Sequence, residues 1–373
     1  MTKVRAFNNI YRGKRVLVTG HTGFKGSWLS IWLRELGADV VGYSLEPPST
    51  PNNFTTSFLE NHLTHIHGDV RNLDQLQTVF NKYEPEIVFH LAAQSIVRLS
   101  YQEPKLTFDS NVGGTINVLE AVRLTPSVRV VVNVTSDKCY ENREWIWGYR
   151  ECDPIGGHDP YSASKGAAEI TFNAYLRSFF NEHRTIGAAS VRAGNAIGGG
   201  DWGLDRIIPD CIRALLQGEA IGIHHPLATR PWQHVLEPLS GYLWLGALLW
   251  NVPAKYSGAW NFGPSDETTY TVSEVVGRLI QLWGSGSYKD VSVNQKNAVH
   301  EASFLKLCCD KAHTYLHWYP IYSCGKALDL TVNWYKHYYQ EQEVKDMYNF
   351  CVDQIKEYLS TAAKQGLAWT EIK

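Results

Sequence analysis

Short apolar runs alternate with helical segments through the first half of the chain. The predicted strands are residues 15–19, 39–43, 64–68, 86–91, 128–134 and 186–191, and the predicted helices are residues 26–36, 73–83, 107–123 and 161–180. The strand at 128–134 is nearly all apolar and lacks the alternation expected of a strand with one face in water. Such strands, separated by helices, indicate a parallel sheet that is buried on both faces.

Right-handed crossovers between these strands would give a doubly wound sheet with helices on both faces. We therefore predict an α/β fold, with a doubly wound parallel sheet of the Rossmann type over residues 1–190. After Arg192 the apolar segments are short and broken by Gly and Pro. This change predicts a smaller mixed α/β substrate domain over residues 191–373, with a helix at 235–250 that packs back against the first domain.

Composition limits the partners that the chain can have. Of its 373 residues 19% are charged and the formal net charge is −2, which gives no sign of nucleic acid or an anionic membrane as a partner. No apolar run approaches the roughly 20 residues of a membrane span, and the N-terminus lacks the apolar core of a signal peptide. The seven cysteines include no CxxC pair, so we predict reduced thiols, no metal site and a cytoplasmic location.

A glycine-rich turn, TGHTGFKG at residues 19–26, follows the first strand and opens the first helix. Glycines in such a turn let the backbone approach a pyrophosphate, whose charge is stabilised at the helix N-terminus. This context predicts a dinucleotide site, although a plain tight turn is the alternative. The residues predicted to line it are Gly20, Gly23, Phe24, Lys25 and Gly26.

The ends of later strands predict the rest of the cofactor site. The third strand ends in Gly-Asp-Val, where a carboxylate can accept from the adenine amine, and the fourth ends in Leu-Ala-Ala, which leaves room for a ribose. The second strand ends in neither the acid typical of NAD sites nor the arginine typical of NADP sites. Because no basic residue is near to hold a 2′-phosphate, we predict NAD. The residues assigned here are Ser44, Asp69, Val70, Leu91, Ala92 and Ala93.

Two sets of proton-transferring side chains surround the end of the fifth strand. Tyr161 and Lys165 lie four residues apart on one helical face, so both can reach one reacting centre. Ser136, Asp137 and Lys138 follow the apolar strand and add a second acid and a second amine. A simple dehydrogenase needs one such set. Two sets indicate a reaction in which a proton and a hydride move more than once.

The glycine turn, the Ala-Ala pair and the YxxxK spacing together resemble the extended short-chain dehydrogenase/reductase superfamily over nearly the whole chain. The triplet at 136–138 is similar to the Thr/Ser-Asp-Glu triplet of its nucleotide-sugar 4,6-dehydratases. Longer segments resemble the CDP-glucose 4,6-dehydratases, namely residues 136–142, 144–165, 192–202 and 230–239 together with His300 and Glu301. The departure is Lys138, which stands where most 4,6-dehydratases carry glutamate.

The resemblance implies an NAD-dependent, redox-neutral loss of water from CDP-glucose, which gives CDP-4-dehydro-6-deoxyglucose for the deoxy sugars of O-antigen lipopolysaccharide. It implies that Tyr161, with Lys165 beside it to lower its pKa, takes the proton of the sugar 4-hydroxyl. Ser136 would hydrogen-bond the C4 oxygen. Lys138 would then remove the C5 proton as a neutral amine, and Asp137 would protonate the departing C6 hydroxyl.

Alternatives to this interpretation exist at two levels. Asp137 and Lys138 could form a plain salt bridge instead of an acid–base pair. The whole chain could be a nucleotide-sugar 4-epimerase, which would use Tyr161 and Lys165 but has no need of the second pair. It could also be a non-catalytic regulator that binds a dinucleotide, since fold alone does not decide function.

Substrate binding is assigned mainly to the second domain. Arg230 could fork onto the diphosphate of a nucleotide-sugar, as guanidinium geometry favours. The further candidates are Gln94, Asn195, Arg206, His300 and Glu301, of which the loop residues could equally be solvated. Trp145 and Trp147 could form a lid that excludes water from the site, or they could belong to a core.

The resemblance also implies a homodimer or a dimer of dimers. In relatives the helices that correspond to residues 107–123 and 161–180 pair across a two-fold axis and form a four-helix interface. In the second of these helices, Ala167, Ala168 and Ala174 are predicted to offer a small-residue surface for close approach.

Overall fold

The structure is a computed structural model that describes residues 4–181, 186–265, 270–292, 304–340 and 346–372. Its central sheet has seven parallel strands, β1 Arg15–Thr19, β2 Asp39–Ser44, β3 Thr64–His67, β4 Ile87–His90, β5 Val130–Val134, β6 Gly187–Ala193 and β7 Gly258–Phe262. Across the sheet they lie in the order β7-β6-β5-β4-β1-β2-β3. The order reverses between β1 and β4, at the switch point where doubly wound sheets bind ligands.

Helices cover both faces of this sheet. The longer ones are α1 Phe24–Glu35, α2 Leu73–Tyr83, α3 Gly114–Leu124, α4 Pro160–Tyr175, α5 Ile207–Gln217, α6 Leu236–Asn251, α7 Val272–Trp283, α8 Cys324–Gln340 and α9 Met347–Lys364. The short ones are Asn53–Thr56, Val97–Gln102, Pro104–Phe108 and Pro253–Tyr256. A π-helical turn, Asp109–Gly113, leads into α3, and another, Leu176–Phe180, extends α4. The helices predicted at 107–123 and 161–180 are therefore both present.

Burial on both faces explains why the strands are apolar throughout. In β5, Val130 and Val132 pack into the core shared with α1 and α6, whereas Val131 packs into the core shared with α2, α3 and α4. All three valines are fully buried. The predicted fold class, a doubly wound parallel sheet, is confirmed.

Residues after 193 contribute to this sheet as well as to the region beyond it. The helix expected at 235–250 is α6, and it packs against β5 and β6. Strand β7 is not among the predicted strands. It pairs in parallel with β6, with Trp260 opposite Val191, although it lies in the region assigned to the second domain. The division of the chain at residue 190 stays a prediction.

Short strand pairs complete the described structure. They are Val4–Ala6 with Thr370–Ile372 and Thr229–Arg230 with Tyr270–Thr271, both antiparallel, and Ala196–Ile197 with Gln233–His234 and Ile221–Ile223 with Tyr288–Asp290, both parallel. The first and the last described segments meet where Phe7 stacks on Trp369, with ring centroids 5.1 Å apart. No described helix combines the length and the apolar character needed to span a membrane.

Candidate active site

The glycine turn lies at the switch point and has room only for glycine at two positions. Gly20 has φ +77°, and a Cβ there would lie 2.7 Å from the backbone nitrogen of Ala92. A Cβ at Gly26 would lie 2.0 Å from the carbonyl oxygen of Gly20. Helix α1 starts with Gly23 as its N-cap, and no side chain of the described residues caps it. The bare turn and the open helix N-terminus fit the diphosphate of a dinucleotide.

Phe24 and Lys25, the other residues predicted for this turn, point toward later parts of the chain. Phe24 packs beside Gly198, where an added Cβ would lie 3.2 Å from its ring. Burial lowers the pKa of Lys25 to about 8, while the charge of Asp137 acts in the opposite direction. Lys25 therefore belongs electrostatically to the proton-transferring groups as well as to the turn.

A cavity of about 780 Å³ opens beyond the end of β3, at the side predicted to hold adenine. It is lined by Asp69, Arg71, Asn72, Leu73, Asp74, Asp109, Gly113 and Asn117. The Asp69 carboxylate accepts from Arg71 Nε at 2.8 Å, from Arg71 Nη2 at 2.5 Å and from the Arg71 backbone N–H at 2.9 Å. An ionised carboxylate has about four acceptor positions, so one remains for an adenine amine. Val70 turns inward against Gly114.

The strand ends around the predicted ribose sites are held by short polar contacts. Ser44 is buried and its hydroxyl shares a hydrogen bond of 2.8 Å with Thr22. The backbone N–H groups of Leu91 and Ala92 donate to the Thr19 hydroxyl at 3.2 and 3.3 Å. Ala93 follows at the half-buried edge of the same loop. These contacts fix the backbone of the turn against the end of β4.

Tyr161 and Lys165 are placed by a well-capped helix start. Asp159 is the N-cap of α4 and accepts from the Ser162 backbone N–H at 2.9 Å, and Pro160 occupies the first turn. Tyr161 and Lys165 are both buried. The Tyr161 hydroxyl is hydrogen-bonded to Ser136, which joins the two predicted sets in one centre.

Ser136, Asp137 and Lys138 form a tight turn immediately after β5. The Ser136 hydroxyl donates to Asp137 Oδ1 at 2.8 Å and accepts from the Lys138 backbone N–H at 3.2 Å. Among the described residues the Lys138 ammonium forms no ion pair, including with Asp137. The described residues therefore do not contain the Asp137–Lys138 salt bridge that was the alternative to an acid–base pair. Tyr161, Ser136 and Asp137 form one hydrogen-bonded series.

Burial controls the acidity of these groups. It raises the pKa of Asp137 above its usual range, although Ser136 and the charges of Lys138 and Lys25 oppose this. It also raises the pKa of Tyr161 to about 12, against the hydrogen bond from Ser136. Burial lowers the pKa of Lys165 to about 8, and the charge of Lys25 acts in the same direction. The pKa of Tyr161 is raised in the structure because desolvation outweighs the Ser136 hydrogen bond and the charge of Arg206, and a lowering of this pKa by Lys165 stays a prediction.

A second, narrow cavity of about 40 Å³ lies next to Asp137, where substrate binding is predicted. Its lining is Gly194, Thr229, Arg230, Pro231, Gly263, Pro264, Ser265, Phe304, Leu305, Lys306 and Leu307. A Cβ at Gly194 would lie 3.0 Å from Asp137 Oδ2, so the cavity begins beside that carboxyl group. Arg230, whose role in substrate binding stays a prediction, is among these lining residues. Phe304 and Lys306 could not be predicted from the sequence, because no motif marks the segment that carries them.

The other predicted substrate residues differ in their availability. The Gln94 side chain is already engaged within the protein, since its amide donates to Thr107 in the helix Pro104–Phe108 at 2.8 Å and accepts from the Ile96 backbone N–H. Arg206 pairs with Asp201 at 2.9 Å and donates to Ser95 at 3.1 Å, and its charge favours the Tyr161 phenolate. Asn195 is half-buried between β6 and the strand Ala196–Ile197. His300 and Glu301 lie outside the described residues.

The two tryptophans proposed as a lid have different surroundings. Trp145 stacks on Tyr149 with ring centroids 5.1 Å apart, in a small cluster with Leu305 and Leu307. Trp147 lies edge-on to Trp145 and is 66% exposed. Trp145 is thus a packing residue behind the wall of the narrow cavity. The described residues include no cluster of side chains that could hold a metal ion.

Comparison with known proteins places the chain in a family. The family model described as GDP-mannose 4,6 dehydratase matches residues 17–330. The chain belongs to this family. Over 362 residues it is 47% identical to the CDP-glucose 4,6-dehydratase of Salmonella typhimurium, covering 95% of this chain and 99% of that protein. The sequence similarity therefore extends beyond the half of this chain that is predicted to bind the dinucleotide.

Solved structures agree with the fold of the dehydratase family. A dTDP-glucose 4,6-dehydratase from Bacillus anthracis in complex with NAD superposes with a TM-score of 0.73 at 21% identity, over 90% of this chain and 100% of that one. MoeE5 in complex with UDP-glucose and NAD gives a TM-score of 0.71 at 26% identity, over 87% and 99%. The predicted superfamily and the predicted enzyme class, a nucleotide-sugar 4,6-dehydratase, are confirmed, and the 4-epimerase alternative has the weaker support.

Proposed function

We propose that the protein is a CDP-glucose 4,6-dehydratase that converts CDP-glucose to CDP-4-dehydro-6-deoxyglucose with no net oxidation or reduction. The observation that carries this proposal is the hydrogen-bonded series Tyr161–Ser136–Asp137, with the amine of Lys138 on the same turn. A carbonyl-forming base, an acid and a further amine are what an elimination after oxidation requires. The 47% identity to a CDP-glucose 4,6-dehydratase supports the nucleotide.

NAD is the cofactor of this proposal. Gly20, Gly23 and Gly26 leave a bare turn for its diphosphate, and Asp69 retains an acceptor position for its adenine. Lys165, one helical turn beyond Tyr161, would bind its ribose. When bound, NAD supplies the acceptor for a hydride from sugar C4 and the donor that returns it.

Tyr161 takes the proton of the sugar 4-hydroxyl in the first half of the reaction. Its pKa of about 12 means that the phenolate needs further positive charge to form near neutrality. Arg206 already acts in this direction, and Lys165 and the oxidised cofactor would add to it once the sugar is bound. The hydrogen bond between Ser136 and Tyr161 favours the phenolate, and Ser136 would transfer this bond to the C4 oxygen.

Asp137 and Lys138 carry out the elimination. Once C4 is a ketone the C5 proton is acidic, and the neutral amine of Lys138 removes it. Asp137 gives its proton to the C6 hydroxyl, which leaves as water. The burial that raises the pKa of Asp137 favours the protonated form that this step needs.

The nucleotide end of the substrate would bind where the narrow cavity starts at Gly194, and this cavity of about 40 Å³ would have to widen to admit it. Arg230 and Lys306 bring two positive charges to its lining, which suits a diphosphate, and Phe304 brings an aromatic face. Because this cavity begins beside Asp137, a sugar attached to that diphosphate would reach the acid.

The location that we propose for the protein is the cytoplasm.

We predict that deuterium placed at C4 of CDP-glucose appears at C6 of the product. The transfer follows because one cofactor molecule accepts and returns the same hydride within one active site. The measurement is NMR of the product after incubation with NAD and the labelled substrate. Label retained at C4 or released to solvent, or free NADH formed in proportion to product, would contradict the dehydratase function.

We also propose a homodimer. Its interface would be formed by α4 and by the helical stretch 104–124, whose last part is α3. The exposed faces of these helices carry apolar side chains, including Ile116, Ile170 and Phe179. One part of the predicted small-residue surface needs correction: Ala168 is buried in the protein's own core, since it lies on the sheet side of α4, whereas Ala167 is half-buried and Ala174 exposed.

Light scattering at micromolar concentration should give at least twice the chain mass of 42.2 kDa. Ile170→Glu should shift the protein toward the monomer, because a charge would be buried in the apolar helix contact. Leu227→Glu is the matched control, since Leu227 is 82% exposed and lies outside these helices. A wild-type monomer, or equal masses for the two variants, would refute this interface.

A further inference from the structure

A buried ion pair lies behind the catalytic centre and joins two of the elements around that centre. Glu169 Oε2 accepts from Arg192 Nη2 at 2.8 Å, and their side chains are only 3% and 4% exposed. Glu169 belongs to α4 and Arg192 to β6. Neither residue touches the cofactor turn or has a part in the proton transfers described above, so the role of the ion pair is open.

The Glu169 carboxylate accepts from two further side chains. Its Oε1 accepts from the Thr135 hydroxyl, and its Oε2 also accepts from the Ser190 hydroxyl at 2.7 Å. Both hydroxyl residues are buried. Ser190 lies in the middle of β6, between two paired strands. Thr135 lies just past the end of β5, where its backbone N–H donates to the Val191 carbonyl at 2.9 Å and its hydroxyl lies 3.4 Å from the same oxygen.

The position of these contacts relates them to the reaction. Thr135 immediately precedes Ser136, the residue that joins Tyr161 to Asp137. Glu169 follows Lys165 by one helical turn on the same face of α4. A single carboxylate therefore ties the turn that carries the acid and the amine to the helix that carries Tyr161 and Lys165.

Arg192 extends the connection toward the narrow cavity. Its Nη1 donates to the Tyr140 hydroxyl at 2.7 Å, and that hydroxyl donates to Asn261 Oδ1 at 2.8 Å. The Asn261 amide donates to the carbonyl oxygens of Tyr149 at 2.8 Å and Cys308 at 3.1 Å. Cys308 follows directly after the segment 304–307 that lines the cavity.

We propose that Glu169 and Arg192 are positioning residues for the dehydratase reaction. Glu169, fixed by its ion pair with Arg192, accepts from Thr135 and so holds the 135–138 turn and α4 at the separation at which Ser136 hydrogen-bonds Tyr161. A buried ion pair contributes little net stability over well-packed apolar residues, because desolvation offsets the attraction, but it demands a fixed geometry. Here the fixed geometry spans the two halves of the acid–base machinery. The inference rests on the proposed function.

Thr135→Val is the variant that tests it, because valine keeps the shape of threonine and loses only the hydroxyl that bonds Glu169. Small misplacements of reacting groups by remote changes cost up to about 10²-fold in rate. We expect Thr135→Val to lower kcat, and the single-turnover rate of NADH formation, by about 10- to 100-fold. KM and the Kd for CDP-glucose from calorimetry should stay near the wild-type values.

Ser190→Ala is the matched control, since it removes a bond to the same carboxylate from a residue held by both neighbouring strands. It should keep the wild-type kcat at a melting temperature no higher than that of Thr135→Val. Thr135→Ser keeps the hydroxyl and should restore kcat. The inference is overturned if Thr135→Val and Ser190→Ala have the same kcat, or if Thr135→Ser is as slow as Thr135→Val.

The two proposals fail in different ways. If the wild-type protein does not convert CDP-glucose, the proposed function is wrong, whatever the variants do. If the wild type converts it and kcat in the variants follows melting temperature alone, only the positioning role is wrong. If Thr135→Val does not fold, Thr135→Ala, which also lacks the hydroxyl, takes its place: it must be slower than Ser190→Ala and Thr135→Ser, and an equal kcat for Thr135→Ala and Ser190→Ala overturns the inference.

Discussion

Replacing Tyr161 with phenylalanine is expected to lower the rate at which NADH forms from CDP-glucose by about 10² to 10⁴. The hydroxyl that is lost is hydrogen-bonded to Ser136 and is the only group that we propose to remove the 4-hydroxyl proton. The loss corresponds to about 3 to 5 kcal/mol in the barrier. Stopped-flow absorbance of NADH in a single turnover measures it directly, before any elimination occurs.

The pH dependence of that signal gives a second check on Tyr161. Burial raises the pKa of Tyr161 to about 12, so the phenolate fraction grows as pH rises through the neutral and alkaline range. The wild-type rate of NADH formation should therefore rise with pH, and the residual rate of Tyr161→Phe should lose this dependence.

Tyr175→Phe is the matched control for this prediction. Tyr175 lies on the same helix, about 20 Å along its axis from Tyr161, and its hydroxyl donates to Glu120 at 3.2 Å. Its removal should leave NADH formation unchanged. If Tyr161→Phe forms NADH as fast as Tyr175→Phe does, another group takes the proton and the assignment of Tyr161 is wrong.

Most of the fold follows from local sequence patterns. Strands such as β5 are apolar on both faces, so their burial in a parallel sheet can be predicted without knowledge of their neighbours. The glycine turn is local in part, because Gly26 is required by a contact with Gly20 inside one strand–turn–helix unit, whereas the close neighbour of Gly20 is Ala92 at the end of β4. The start of α4 is marked by Asp159 and Pro160 in the same way.

Features that depend on distant pairing are the ones that the sequence does not reveal. Strand β7 is a short GAWNF segment after a small helix, and it becomes a strand because β6 offers an unpaired edge. Lys306 and Phe304 reach the narrow cavity through the packing of their segment near Tyr149, with no motif of their own. The Gln94 amide forms hydrogen bonds with Thr107 and Ile96, and these bonds cannot be predicted from sequence spacing alone.

The electrostatics of the centre likewise emerge only from the fold. Spacing puts Lys165 near Tyr161, and this suggests a lowered tyrosine pKa. In the structure desolvation dominates both groups, while Lys25 and Arg206 arrive from the glycine turn and from the loop before α5. The sequence thus identifies the reacting groups, but their charge states depend on burial and on residues far away along the chain.

Lys138→Ala is expected to leave the first hydride transfer largely intact and to slow product formation by about 10² to 10⁴. The amine lies on the turn after β5, has no ion-pair partner among the described residues, and is the group that we propose to remove the C5 proton. Without it no acceptor forms at C6. NADH should therefore accumulate on the enzyme in single-turnover mixing, whereas Tyr161→Phe shows almost none.

Two further measurements separate a base from a mere neighbour of Asp137. In deuterated water the wild type should introduce deuterium at C5, and Lys138→Ala should lose this exchange while still forming NADH. A small primary amine such as ethylamine, added to Lys138→Ala, should restore part of the rate in proportion to its neutral form. Lys138→Glu should keep partial activity, since glutamate is the residue that most 4,6-dehydratases carry there. If Lys138→Ala turns over nearly as fast as the wild type, the lysine serves only to support Asp137, and the C5 base is another residue.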